Sequence, residues 1–321
     1  MKVTVVTVTY GNRFKYLEEV VSSLLEQSID KIFIVSNGSE INSLNQIKEL
    51  ANDNNKIALI DLEENTGSAN GFCEGIEYAC DSGAEYLWLL DDDNKPQRES
   101  LKALKDEWAR LINENTNDSL ALLSYRNDRK IYSEAINEDN PRLMLGTNNS
   151  FLGFNLFDKV KSLFIKTKPN KIINRDKGIV AVAPYGGLFF HRSLIAKIGL
   201  PDVNYYLYGD DYDFTYRITK NKGKIFLVKN SEIVDLEKSF HLVKGNRFNT
   251  RYFNTDSKNR IFYSVRNGIK FEQNFVTNKL IYLINASFYL IVVLMLFLLN
   301  PKHLWKFRYI IKAVFSAATK K

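Results

Sequence analysis

Acidic residues stop at Glu272. Beyond it the 321-residue chain has none, yet it carries Lys279, Lys302, Lys306, Arg308, Lys312, Lys320 and Lys321. These seven basic groups equal the whole formal excess of +7, so residues 1–272 are balanced, 37 basic against 37 acidic. A neutral body argues against a general nucleic-acid-binding surface, and a basic tail favours attraction to anionic lipid. Cysteine is nearly absent. Cys73 and Cys80 lie seven positions apart on one expected helix, too far for a local disulfide and in no metal-binding pattern. Buried thiols in a reducing cytoplasm are therefore expected. Histidine is scarce too, three in all, among them His241 in Ser239-Phe240-His241-Leu242. A lone His is by default an ordinary surface or core residue. Low-complexity segments and internal repeats are missing. No secretory leader is expected, because Met1-Lys2 runs straight into the strand pattern Val3-Thr4-Val5-Val6-Thr7-Val8-Thr9.

The first ninety residues alternate strand and helix signals. Strands are predicted near 3–9, 31–35, 57–61 and 86–90, with helices near 14–27, 42–54 and 67–81 between them. Alternation with fully apolar strands predicts an α/β fold, a mostly parallel sheet flanked by helices. A helix near 98–112 and a strand near 120–124 follow. Residues 126–178 are less regular, and order resumes with strands near 179–183 and 188–190 and a short helix at 193–198. The stop signal for that helix is Gly199 with Pro201 beyond it. Ligands of such sheets gather outside the carboxyl ends of the strands. Here those ends are Tyr10-Gly11-Asn12-Arg13, Ser36-Asn37-Gly38-Ser39, Glu63-Glu64-Asn65-Thr66-Gly67 and Asp91-Asp92-Asp93. All four are polar, and together they define one site.

The aspartate triplet is the strongest chemical signal. It follows the buried-type run Leu87-Trp88-Leu89-Leu90, so a fixed strand end delivers clustered negative charge to one point. Such a cluster repels itself unless a cation is present, and hard oxygen ligands favour Mg²⁺ or Mn²⁺. The alternative is an acidic turn capping the next helix. A second acidic knot, Gly209-Asp210-Asp211-Tyr212-Asp213, opens a predicted helix over Phe214–Asn221. Carboxylates there are stabilised by exposed N–H groups and the helix dipole, but one Asp suffices for a cap and three are present.

In order along the chain stand Thr7-Val8-Thr9-Tyr10, Val35-Ser36-Asn37-Gly38-Ser39, Asn65-Thr66-Gly67-Ser68-Ala69-Asn70-Gly71-Phe72, the triplet, and Gly209-Asp210-Asp211-Tyr212-Asp213-Phe214. Over residues 1–270 the chain resembles the GT-A-fold glycosyltransferases of family 2. The branch it most resembles is that of bacterial rhamnosyl- and galactofuranosyltransferases of surface polysaccharide assembly. Arg260-Ile261-Phe262-Tyr263-Ser264-Val265-Arg266-Asn267 is similar to that branch's ending. The resemblance implies a Rossmann-like nucleotide-diphospho-sugar transferase that moves a sugar from a UDP- or dTDP-linked donor to an acceptor hydroxyl. Asp91 and Asp93 would hold Mn²⁺ or Mg²⁺, with Asp92 beside the ribose or metal and His241 at a further metal position. Asp211 matches the general base of an inverting in-line displacement, with Asp210 as the second candidate. Thr9, Tyr10, Arg13, Asn37 and Asn65 would line the nucleotide pocket. Gly67 would let the backbone approach the donor, at the start of a helix whose N–H groups can meet phosphate. The family usually has Asp where this chain has Ser36, which can still accept a bond from a pyrimidine N–H. Tyr185, Gly186, Gly187, Asp213 and Arg266 are candidates for acceptor or phosphate contacts.

The expected organisation is a catalytic domain over 1–272, with a nucleotide-binding half 1–125 and an acceptor-binding half 126–272, then C-terminal helices over 273–321. Residues 280–299 are almost wholly apolar and long enough to span a bilayer. Nucleotide sugars are cytoplasmic, however, so a span would carry Lys302, Lys306, Arg308 and Lys312 across, against the positive-inside tendency. An apolar helix in the cytoplasmic leaflet followed by a basic amphipathic one over Trp305–Ala318 satisfies both constraints. Peripheral or monotopic attachment to the cytoplasmic face of the membrane, serving a lipid-linked glycan acceptor, is expected. A buried helix or a homo-oligomer contact is the alternative use of that segment. Two other functions compete: a nucleotidyltransferase on a related sheet, and a non-catalytic, membrane-docked sugar-binding protein.

Overall fold

The structure, a computed structural model, describes residues 1–138, 140–164, 175–237 and 250–319. Two compact units divide the chain. One comprises Met1–Leu145, Lys171–Tyr206 and Asp210–Glu237, the other Gly146–Asn170, Leu207–Gly209 and Lys238–Lys321.

The first unit is built on a sheet whose described strands are β1 (Val3–Gly11), β2 (Lys31–Ser39), β3 (Ile57–Leu62), β4 (Tyr86–Asp91), β5 (Asn94–Pro96), β6 (Leu120–Tyr125), β7 (Lys177–Val180), β8 (Leu188–His191) and β9 (Lys224–Asp235). Their order is β3-β2-β1-β4-β8-β6-β9-β5, with β7 also on β9. Its helices are α1 (Phe14–Leu25), α2 (Ile41–Asp53), α3 (Ser68–Asp81), α4 (Ser100–Leu111) and α5 (Lys130–Glu138), then α7 (Ser193–Ile198) and α8 (Asp210–Lys220). The helix α6 (Leu156–Phe164) belongs to the other unit.

Strands β3, β2, β1 and β4 pair in parallel, as their apolar composition and intervening helices require. Beyond β4 the sheet is mixed: β8 runs antiparallel to both β4 and β6, while β6 and β9 are parallel. β8 is entered from the turn at Tyr185, Gly186 and Gly187, whose last N–H donates to Leu89 O of β4 at 2.7 Å. In α1, Leu17, Val20, Val21 and Leu24 are buried at helical spacing. At the core's centre Tyr86 stacks on Phe189 at 5.6 Å and meets Trp108 edge-on at 5.3 Å.

Strand β9 escapes the sequence reading. β9 is twelve residues long, but Lys229, Asn230 and Glu232 interrupt its apolar pattern. Pairing with β6 slips there, from Ser124↔Val228 to Tyr125↔Glu232, and β9 then pairs antiparallel with β5, Asn94 opposite Asp235. The irregularity hides the strand and carries Asp235 to the triplet.

In the second unit α9 (Lys258–Glu272), α10 (Lys279–Leu298) and α11 (Leu304–Ala318) enclose a core that includes Phe151, Tyr252, Ile261, Val265, Phe297 and Ile310. By contact, α9 shares this core, so the compact units divide the chain differently from a boundary at 272. Lys306, one of the basic tail residues, is fully buried and ion-paired to Asp256 at 2.9 Å. Asn285, in the first half of apolar α10, is also fully buried: its Nδ2 donates to Asn149 O at 2.7 Å and its Oδ1 accepts from Leu156 N at 2.9 Å. Asn285→Leu keeps the volume but strands two backbone groups. A loss of about 2 kcal/mol or more is predicted from urea unfolding, and an unchanged midpoint would show that neither group depends on Asn285.

Candidate active site

The site forms where the parallel strands end. Thr9 lies near the end of β1, Asp91 closes β4, and α8 opens on Asp210. Asp92 points into the protein. Thr9 Oγ1 donates to it at 2.7 Å and Arg13 Nε at 2.9 Å, while Arg13 also reaches Glu237 at 2.5 Å and Asp93 at 3.4 Å. Asp92 thus serves as the anchor of Arg13, and burial is what raises its proton affinity, against Arg13 and Thr9. Tyr10 is exposed, with the Arg13 guanidinium 5.2 Å from its ring centre.

Asn94, the residue after the triplet, uses its whole amide. Its Oδ1 accepts from Asp91 N at 3.1 Å and from Arg126 Nη2 at 2.9 Å; its Nδ2 donates to Asp93 Oδ1 at 3.1 Å and to Asp235 Oδ1 at 3.0 Å. Arg126, itself buried, also donates from Nε to Asp235 at 2.8 Å, and Arg129 pairs with the same carboxylate. Gly186 completes this packing. A Cβ there would overlap Asn94 Oδ1 and the Arg126 guanidinium and lie 2.8 Å from Asp91 Oδ2. Only a residue without a side chain fits against the triplet at this point.

The acids crowd one another. Burial, reinforced by Asp92, Asp211 and Asp235 and opposed by Arg126, pushes Asp91 up to about 6. Burial together with Asp91, Asp92 and Asp235 pushes Asp93 up to about 7. Asp210 and Asp211 are a tightly coupled buried pair, both raised, first by burial and then by neighbouring charge: Asp91 on Asp210, and Asp210 on Asp211. Ser68 Oγ donates to Asp210 at 3.1 Å, and Tyr212 N donates to Asp211 at 2.8 Å. Asp235 goes the other way; burial would raise it, but Arg126 and Arg129 prevail and hold it low. Two acidic stretches more than a hundred residues apart thus act on each other electrostatically.

Other candidates take supporting positions. Asn37 Oδ1 accepts from Thr66 N and Oγ1, and its Nδ2 donates to Gly67 O, so it clamps the loop before α3. Asn65 is exposed and its Oδ1 accepts from Gly67 N at 3.0 Å. Gly67 has φ +86°, and the room a side chain would need is filled by the Tyr206 carbonyl, which also accepts from Ala69 N at 3.2 Å. Ser36 is fully buried, and its hydroxyl has no partner among the described residues. The same holds for the hydroxyl of Tyr185, whose ring packs on Phe72 at 4.3 Å beside Asp210 and Asp211. Gly187 turns at φ +93° into β8. Asp213 pairs with Arg217 at 3.3 Å and accepts from Tyr205 at 3.2 Å. Arg266 lies on α9 in the second unit, 4.8 Å over the Tyr263 ring, with its Nε donating to Asn267 at 2.8 Å. His241 is outside the described residues.

The profile of one family, Glycosyl transferase family 2, matches residues 4–178, more than half of the chain. The chain belongs to that family. This glycosyltransferase is 22% identical over 256 residues to a galactofuranosyltransferase of Mycolicibacterium smegmatis, GlfT1, covering 78% of this chain and 75% of the relative. Its fold is that of GT-A structures. It aligns with a crystal structure of GalNAc-T7 with UDP, GalNAc and Mn²⁺ at TM-score 0.55 and 14% identity, over 83% of this chain and 47% of that one. It also aligns with the mannosyltransferase PcManGT of Pyrobaculum calidifontis in complex with GDP-Man and Mn²⁺, at TM-score 0.54 and 15% identity, over 99% of this chain and 75% of that one. The chain spans about half of the GalNAc-T7 structure.

Asn94, Arg126, Arg129 and Asp235 went unread in the sequence. A polar residue directly after the triplet and an arginine at the end of apolar β6 were the available signals. Whether an ion fits is a question of donors. Among the described residues no three His, Cys, Asp or Glu side chains form an ion-holding group. Asp91 and Asp93 offer two hard oxygen donors with raised proton affinity, which suits Mg²⁺ or Mn²⁺ completing its shell with substrate phosphate and water.

The ordinary value for Asp93 is 3.8, and its folded value near 7 lies above it. Ionising it therefore opposes folding, by an amount that grows as pH rises from about 4 to 7. Without metal, Asp93→Asn should raise the Tm by about 2 °C or more at pH 8. That gain should shrink as pH falls through this window, as scanning calorimetry at several pH values would record. Asn94→Ala should weaken Mn²⁺-dependent nucleotide binding about tenfold or more through loss of the turn that positions Asp91 and Asp93; calorimetric titration with unchanged affinity would contradict this.

Proposed function

We propose that this glycosyltransferase inverts configuration as it moves a sugar from a nucleotide diphosphate to a hydroxyl of a lipid-linked or polysaccharide acceptor, at the cytoplasmic face of a membrane. The observation that carries the reading is the mutual electrostatic influence of Asp91 and the Asp210–Asp211 pair within one buried site. Asp91 and Asp93 would hold Mn²⁺ or Mg²⁺, with His241 as a third candidate. A bound ion supplies positive charge beside the leaving diphosphate. Arg13, anchored by Asp92, adds a fixed positive charge at the end of β1. Thr9, Tyr10, Ser36, Asn37, Asn65 and Gly67 form the nucleotide side.

Asp211 is the favoured general base. Asp210 is engaged by Ser68, whereas the hydrogen bond to Asp211 comes from the adjacent backbone N–H and fixes its carboxylate at the start of α8. A carboxylate with raised proton affinity is well matched to taking a proton from an attacking alcohol near neutral pH. Proton removal and departure of the nucleotide on opposite faces of the anomeric carbon give inversion. Tyr185, with an unsatisfied hydroxyl beside these acids, is a candidate for contact with the acceptor or donor sugar. The name of the Mycolicibacterium relative favours galactofuranose over rhamnose, hence UDP over dTDP. Family membership weighs against the nucleotidyltransferase and the non-catalytic binding protein.

Asp211→Asn should lower kcat by at least about a thousandfold while leaving Mn²⁺-dependent UDP affinity within about threefold. Turnover of UDP-galactofuranose and dTDP-rhamnose, followed by nucleotide release, reads the first; calorimetry reads the second. Loss of nucleotide binding with activity would reassign Asp211 to the metal.

A further inference from the structure

Helix α10 is one-sided. At roughly 100° per residue its exposed positions fill about half of its circumference and its committed positions the other half. Leu283, Ile291, Met295 and Leu298 on the outward side are each more than half exposed. The inward side is committed to its own unit. Besides the two bonds of Asn285, Tyr282 Oη donates to Glu272 at 3.3 Å and Tyr289 Oη lies 3.1 Å from Tyr252 Oη. A helix crossing a bilayer is surrounded by lipid or by other apolar surfaces, and unpaired polar groups at that depth are costly. Crossing would strip these bonds or draw Glu272 and Asn149 into hydrocarbon. The outward row alone is free for lipid, and it runs the whole length of the helix, about 30 Å.

Helix α11 presents a different face. Trp305, Arg308, Lys312 and Phe315 are exposed at spacings of three and four, an amphipathic row of aromatic and cationic groups. No acidic residue follows Glu272 to offset them. Apolar anchors beside uncompensated long cationic side chains complement an anionic headgroup layer over an acyl boundary.

We infer that the outward row of α10 is a docking surface for an anionic lipid bilayer and that the helix lies in the plane of one leaflet without crossing it. This rests on the membrane attachment proposed above and specifies the segment, its orientation and the lipid charge.

The test uses the full chain with Cys73 and Cys80 replaced by Ala and single cysteines at Leu283, Ile291 or Leu298 carrying an environment-sensitive fluorophore. Vesicles of phosphatidylcholine, with or without phosphatidylglycerol, contain lipids brominated at graded depths. All three labels should report one shallow depth, about 5–10 Å below the headgroups. Partition should be about tenfold stronger with phosphatidylglycerol and weaken with salt. Ile291→Glu should reduce it about tenfold, with Tm and UDP affinity unchanged. Depths running from one interface through the midplane to the other would overturn the inference in favour of a span. So would failure to bind vesicles together with a dimer that Ile291→Glu dissociates, which would assign the row to a second copy. Vesicle binding by a chain that binds no nucleotide would leave the docking surface standing and remove the catalytic proposal.

Discussion

Like charge, confined where water is scarce, is the constraint around which the first unit is arranged. Asp91, Asp92, Asp93, Asp210 and Asp211 meet at strand and helix ends that folding fixes in place. Apolar strands drive the burial, so hydrophobic energy holds together carboxylates that repel one another. The molecule relieves this only in part. Arg126 with Arg129 holds Asp235 low and Arg13 takes Asp92, yet all five crowded acids keep proton affinities above those of free carboxylates. A site left short of positive charge is prepared for a ligand that brings it.

The division of labour within the triplet follows from that partial relief. Its middle member is bound by Arg13 and Thr9, and the outer two are turned by Asn94. Only Asp91 belongs to the strand, and Asp92 and Asp93 lie in the turn that follows, so a run of three identical residues meets different environments. Partnering then separates chemically equal groups into an anchor and an outer pair, all three with raised proton affinity.

Much of this was legible in the sequence, for reasons tied to particular residues. The strand at Tyr86–Asp91 announced itself because five buried-type residues in a row end in acids. The helix at 193–198 was bounded by Gly199. Strand β9 was not legible, because Lys229, Asn230 and Glu232 break its pattern at the register slip. The partners it supplies, Asp235 above all, were lost with it. Arg126 was equally hidden; burial of an arginine depends on carboxylates distant in sequence, which no local window contains. In the tail, apolar length was plain, but only packing revealed that Asn285 divides α10 into a committed side and an open one, and that Lys306 is internal.

Asn94 has a consequence for what this chain can become. Asparagine and aspartate differ by a single terminal group, so extending the acidic run by one residue looks like a trivial step. Here it would convert two donated bonds, to Asp93 and Asp235, into contacts between lone pairs, and would set a further anion beside Asp91. The polyacidic stretch therefore terminates after three members because the fourth place requires a neutral group able to give with one end and receive with the other. Glutamine, longer by a methylene, has the chemistry without the reach, which leaves the position a vocabulary of one.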